Sequence, residues 1–125
     1  WFGPWVGLEL GLENQTGYGL ELRLERHFPR YEADAYWNLR DDPAAGSWCM
    51  KRFAQWADGR GSSAAFTGRY QAGPWQWHAA IAWSAWDTKP GTDRVYFCDG
   101  ASAITGFNGA ERESVSIAVG AGYRF

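Results

Sequence analysis

Residues 111–125 constrain the chain more than any other stretch. Every second residue forms one face, Val115, Ile117, Val119, Ala121, Tyr123 and Phe125. The other face is Ser114, Ser116, Ala118, Gly120, Gly122 and Arg124. A period of two sustained this long predicts a β-strand. What stands opposite the apolar residues is unusual. A strand on a water-soluble sheet normally turns long polar side chains to solvent, whereas this one turns mainly the smallest residues that exist. Small residues suit a crowded interior, which leaves the apolar face to point outward.

The same scheme recurs upstream. Residues 5–13 set Val6, Leu8, Leu10 and Leu12 against Gly7, Glu9, Gly11 and Glu13, and residues 18–28 set Leu20, Leu22 and Leu24 against Glu21, Arg23, Glu25 and His27. A helix would scatter these leucines around its circumference. Further strands are predicted over 31–40, 47–57, 63–71, 75–86 and 94–107. Their connections are 14–17, 29–30, 41–46, 58–62, 72–74, 87–93 and 108–110, chosen for their Gly, Pro, Asn and Asp content. Asn108-Gly109 is the hairpin dipeptide that weighs most in this choice. Residues 47–57 alternate poorly, and a bulge near Lys51 would account for it. With the terminal stretch, the count is eight.

Phe125 as the last residue, with Tyr123, Ala121, Val119 and Ile117 alternating before it, resembles the C-terminal strand of bacterial outer-membrane β-barrels. That resemblance implies an all-β, eight-stranded antiparallel up-and-down transmembrane β-barrel with very short loops, a single domain over residues 1–125. It also implies location in the bacterial outer membrane, with outer-membrane lipid or lipopolysaccharide as surroundings. Assembly machinery would recognise residues 115–125, and another envelope protein is a further candidate partner. Eight strands enclose little more than side chains, so the expected role is structural or envelope-interacting rather than that of a wide pore.

Composition fits these expectations. With 12 Lys and Arg against 14 acids, the formal net charge is -2, no footprint for nucleic acid. The longest apolar run, 79–83, is far too short for a membrane helix, but barrel strands need only alternation. No secretory signal is visible. Cys49 and Cys98 are predicted to be free thiols, because a barrel would hold them at different heights on non-adjacent strands.

Two patterns favour an inside-out wall. If the strands alternate in direction, Trp5, Phe28, Tyr31, Trp56, Phe66, Trp83, Phe97, Tyr123 and Phe125 collect at one end. Tyr18, Trp37, Trp48, Tyr70, Trp75, Trp77 and Phe107 collect at the other, giving two aromatic belts around an aliphatic waist. The charges expected inside are balanced: Glu9, Glu13, Glu21, Glu25, Glu32 and Asp34 against Arg23, Arg40, Arg69, Arg94, Arg112 and Arg124. Closure would bring Arg112 or Arg124 beside Glu9 or Glu13. Unpaired, such charges would cost several kcal/mol each, roughly.

Chemistry is thin. His78 and Ser84 stand about 20 Å apart along one strand, and His78 could meet Ser102 only across strands. His27 reads as an interfacial residue. The carboxylates sit among arginines, which favours ion pairing over acid–base work. No metal-ligand spacing, phosphate loop or nucleophile elbow is present, so neither metal nor cofactor is expected, and catalysis is the less favoured reading. Two alternatives compete. One is a soluble secreted barrel holding a small hydrophobic ligand: Phe66-Thr-Gly-Arg-Tyr70 with Trp77 and Trp83 resembles the middle strands of the avidin family, although no tryptophan follows Trp86. The other is a membrane-embedded lipid-modifying enzyme.

Overall fold

The computed structural model describes residues 1–35, 53–97 and 99–125. It contains β1 (Trp5–Glu13), β2 (Tyr18–His27), β3 (Arg30–Ala35), β4 (Phe53–Ala72), β5 (Trp75–Thr88), β6 (Gly91–Tyr96), β7 (Ser102–Phe107) and β8 (Glu111–Tyr123), all antiparallel. The predictions for Arg40, Trp37, Trp48, Cys49, Cys98 and the loop 41–46 lie outside the described residues.

The registers reveal a simpler plan. His27 pairs with Gly61 and Arg30 with Asp58, three residues on in each strand, so β2 and β3 are one ribbon interrupted at Phe28-Pro29. Likewise β8 and β7 keep one register against β5 and β6, since Asp87 faces Glu111 and Gly91 faces Phe107. Among the described residues five ribbons result, in the order β1, β2–β3, β4, β5–β6, β7–β8. Against β4 the fourth ribbon gains one residue. Gly59 faces Thr88 but Trp56 faces Thr92, a bulge at Lys89-Pro90. The extra residue exchanges the faces of β6 and β7 relative to β5 and β8. Proline lacks the N–H that a ladder needs, so it interrupts pairing without turning the chain.

Several predicted turns are corrected by this. The chain does not reverse at 29–30, 58–62, 87–93 or 108–110. Residues 58–62 lie inside the 20-residue β4. At Gly109 a φ of 120° marks the break between β7 and β8. Reversals do occur at Asn14–Gly17 and Gly73-Pro74. A third, unpredicted one falls at 97–101, where Phe97 N–H donates to the Ala101 carbonyl at 2.9 Å and Gly100 takes φ 86°.

The sheet is open. Among the described residues β1 pairs only with β2, β8 pairs only with β5, and no ladder joins β1 to β8. The expected closed eight-stranded transmembrane barrel is therefore not formed, and no strand stands as part of a closed membrane-crossing wall. An odd number of ribbons explains this. β1 and β8 run in the same direction, so antiparallel closure between them is geometrically impossible. Arg112 and Arg124 consequently do not reach Glu9 or Glu13. The small-barrel role falls with closure, and so do both alternatives, since an open sheet has neither a calyx for a ligand nor an enclosed catalytic interior.

Above the breaks at Pro29, Pro90 and Asn108, β1, β2, β5, β8 and the C-terminal part of β4 form an upper sheet. Below them, β3, β6, β7 and the N-terminal part of β4 form a lower one. Among the described residues the buried apolar core is Ala54 and Ala57, each 7% exposed, with Pro29 at the break also buried. Neither sheet covers the other.

Candidate functional site: two faces of one sheet

Cross-strand pairing assembles the upper sheet's outer face row by row. Leu10, Leu22, Phe66, Ile81 and Ile117 lie in one row, and Leu8, Leu24, Ala64, Trp83 and Val115 in the next. On the other side stand Leu12, Leu20, Gly68, Ala79 and Val119. These side chains face solvent: Val119 is 79% exposed, Ile117 75% and Leu12 73%. From Trp75 to Trp83 the band rises about 27 Å, and five strands make it on the order of 600 Å². Monomeric soluble proteins rarely expose a contiguous apolar patch above a few hundred Å².

Both margins of the band are built. At the top, Tyr18 stacks on Tyr70 (centroids 4.4 Å), Trp75 on Trp77 (5.8 Å), and Tyr123 meets Trp75 and Phe125 edge-on. Between them a shallow apolar groove of about 650 Å³ runs over Gly68, Ala79 and Ala121. At the bottom the face turns polar within two residues. Trp83 donates its indole N–H to Glu113 at 2.8 Å, Arg26 bonds Ser62 at 2.6 Å, and Arg60 pairs with Asp87 at 2.9 Å. Asp87 in turn raises the Arg60 pKa through that hydrogen bond and its charge. Below this belt the outer face stays charged, with Arg30 beside Glu32 at 3.2 Å and the Arg94 guanidinium 5.8 Å from the Trp56 ring.

The reverse face carries the other polar groups. Arg23 pairs with Glu9 at 2.8 Å and Arg69 with Glu21 at 3.4 Å. Glu25 accepts from the Ser63 hydroxyl and contacts His27, both at 3.0 Å. The Ser63 bond first, then His27 and Arg23, hold the Glu25 carboxyl below the usual carboxylate range against a desolvation cost. His78 lies over Gly120, while Ser84 and Ser114 share a hydrogen bond at 2.9 Å. At the junction of the sheets this face becomes aromatic. His27 meets Trp86 at 4.7 Å, Trp1 meets Tyr31 at 5.0 Å and Trp86 at 5.8 Å, and Tyr31 stacks on Phe107 at 5.4 Å and 7°. Tyr31 and Phe107 meet across β4 and β6, and His27 and Trp86 across β4, because Ala57, Gly59, Gly61 and Gly91 beneath the rings are small. A Cβ on Gly61 would collide with Trp86.

The aromatic residues proposed from sequence are therefore distributed differently. Tyr18, Tyr70, Trp75, Trp77, Tyr123 and Phe125 gather at one end, Phe66 sits mid-band, and Trp83 marks the lower margin. Trp5, Tyr31 and Phe107 stand on the reverse face, Trp56 on the charged outer face below, Phe28 at the break and Phe97 at the lower turn. Among the charges, the structure brings Glu9 to Arg23 and Glu21 to Arg69. Glu32, Asp34 and Arg94 share the lower outer face, and Arg112 is level with Trp86. Missed from sequence were Trp1 and Trp86, whose signal was the run of glycines and alanines facing them. No group of His, Cys, Asp and Glu among the described residues could hold a metal ion, and no helix of the described residues is long and apolar enough to cross a membrane.

Comparison with curated proteins and with solved structures gave no match. An exposed apolar band on an all-β sheet does agree with the one comparison that succeeds. Over residues 1–125 the chain matches the family model described as Pom, Protochlamydia outer membrane protein, and it belongs to that family, which places it with the bacterial envelope.

Proposed function

We propose that this is an outer-membrane sheet domain whose upper outer face lies against the acyl chains of membrane lipid or lipopolysaccharide. The observation that carries this reading is the band itself: aliphatic rows bounded above by tyrosines and tryptophans and below by a charged belt. Amphipathic rings favour that position where an apolar layer meets water. Membership of an outer-membrane family supports the same assignment.

Flotation with vesicles of phosphatidylethanolamine, phosphatidylglycerol and lipopolysaccharide tests it. The protein should rise with the vesicles, and brominated acyl chains should quench its tryptophan emission. Joint replacement of Trp75, Trp77 and Trp83 by Phe should remove most of that quenching, and replacement of Trp1 and Trp5 should not. Protein that stays at the bottom of the gradient would refute the proposal.

A further inference from the structure

Among the described residues β8 is an open edge of the sheet, paired on one side with β5 alone. The Arg124 N–H donates to the Pro74 carbonyl at 2.9 Å and the Thr88 N–H to Ala110 at 3.0 Å. Even-numbered residues of β8 therefore direct their backbone groups to β5. Odd-numbered ones, Val115, Ile117 and Val119 among them, direct N–H and C=O to the open edge. Natural edges are blunted by proline, by lysine, by bulges or by shortness. β8 has 13 residues in unbroken register, with no proline or lysine.

Charge specifies what kind of strand fits. On the reverse face of the upper sheet Arg23 pairs with Glu9 and Arg69 with Glu21, and Glu25 contacts His27. Arg112 and Arg124, on that face by alternation at the two ends of β8, have no hydrogen-bond or ion-pair partner among the described residues. On the outer face Glu113 is engaged by the Trp83 indole. Two arginines thus bracket a free row of backbone groups, with only Ser, Ala and Gly between them on their face.

We propose that the β8 edge binds an antiparallel polypeptide strand that carries acidic residues opposite Arg112 and Arg124 and apolar residues beside Val115, Ile117 and Val119. Backbone pairing supplies the affinity, and the arginine bracket selects register and partner. The neighbouring strand cannot be β1 of the same chain paired antiparallel, because β1 and β8 run the same way. The inference stands whether or not the apolar face touches lipid.

The test uses the whole chain and a synthetic peptide of alternating Val and Ser, as long as β8 (13 residues), with Glu at both ends. A matched peptide ending in Lys is the comparison. Hydrogen exchange at the Val115, Ile117 and Val119 amides should slow by about 10-fold or more with the Glu-ended peptide and much less with the Lys-ended one. In the double variant Arg112→Glu, Arg124→Glu the preference should invert, with unchanged protection in β5 reporting that the sheet is intact. No slowing by either peptide, or equal slowing by both, would overturn the proposal.

Discussion

The two halves of this sheet share ribbons yet are built on opposite principles. Above the breaks, aliphatic residues occupy the outer face and ion pairs the reverse. Below them, Arg30, Glu32, Asp34 and Arg94 occupy the outer face, and Tyr31 and Phe107 stack on the reverse. The lower half covers part of its own apolar surface with rings laid over Ala57 and Gly91, whereas the upper half covers almost none. Burial of apolar area is the main favourable contribution to folding. The junction and lower half therefore supply their own stabilisation, while the upper half depends on whatever lies against it.

Two tryptophans three residues apart in β5 separate these principles. Trp86 packs on His27 and Trp1 over Gly61, and Trp83 stands on the outer face, 37% exposed, with its N–H on Glu113. Trp86→Ala should cost about 3 kcal/mol of unfolding free energy, the low end for truncating a large aromatic, because the site is only half-buried. Trp83→Ala should change that quantity little in the absence of lipid and should weaken vesicle binding instead. Urea melts and flotation of both variants decide the matter. Equal destabilisation by the two would abolish the distinction between the halves.

A second contrast uses one residue type in two places. Ile81 is 48% exposed in the centre of the apolar band, and Ile104 is 65% exposed on the outer face of the lower half. Exposure alone would predict that Ile104 matters more to any apolar partner. If position in the band decides, Ile81→Lys should lower vesicle partition by about 30-fold, from some 2 kcal/mol of lost side-chain burial. Ile104→Lys should leave partition unchanged. Similar losses for both would extend the lipid-facing surface beyond the charged belt.

What the residues disclosed in advance, and what they did not, follows the same division. Alternation in 5–13, 18–28 and 111–125 is local, and it placed the leucines, valines and isoleucines of the upper face correctly relative to one another. Direction of the chain is not local. Pro29, Pro90 and Asn108-Gly109 carry turn chemistry, yet a ribbon uses the same residues for an interruption or a bulge that continues straight on. Reading them as reversals yields separate short strands and assigns Tyr31 and Phe107 to an outward belt, whereas the barrel itself is implied by the resemblance that residues 115–125 carry. The reversal at 97–101 had its own signal in Asp99-Gly100, whose aspartate accepts from the Ala101 N–H at 2.9 Å. Ion pairing of Glu9 with Arg23 follows from register, which no single-strand pattern contains.

The smallest expected effect concerns the tie between the halves. Glu25 lies level with the margin where the apolar band gives way to the polar belt. Its carboxylate joins Ser63 of β4 to His27, which in turn packs on Trp86. With its pKa held below the unfolded value, chiefly by the Ser63 hydroxyl, Glu25 contributes stability that is fully present above the ordinary carboxylate range. That contribution is lost as pH falls below the ordinary carboxylate range and through the folded value. Urea midpoints should decline over that fall, and the decline should be shallower in Ser63→Ala, which removes the largest cause of the shift. Glu9→Gln removes an exposed pair on the same face and should leave the slope nearly as it is, since such pairs contribute little. A slope that Ser63→Ala leaves unaltered would separate Glu25 from the junction and leave the aromatic cluster as the tie between the two sheets.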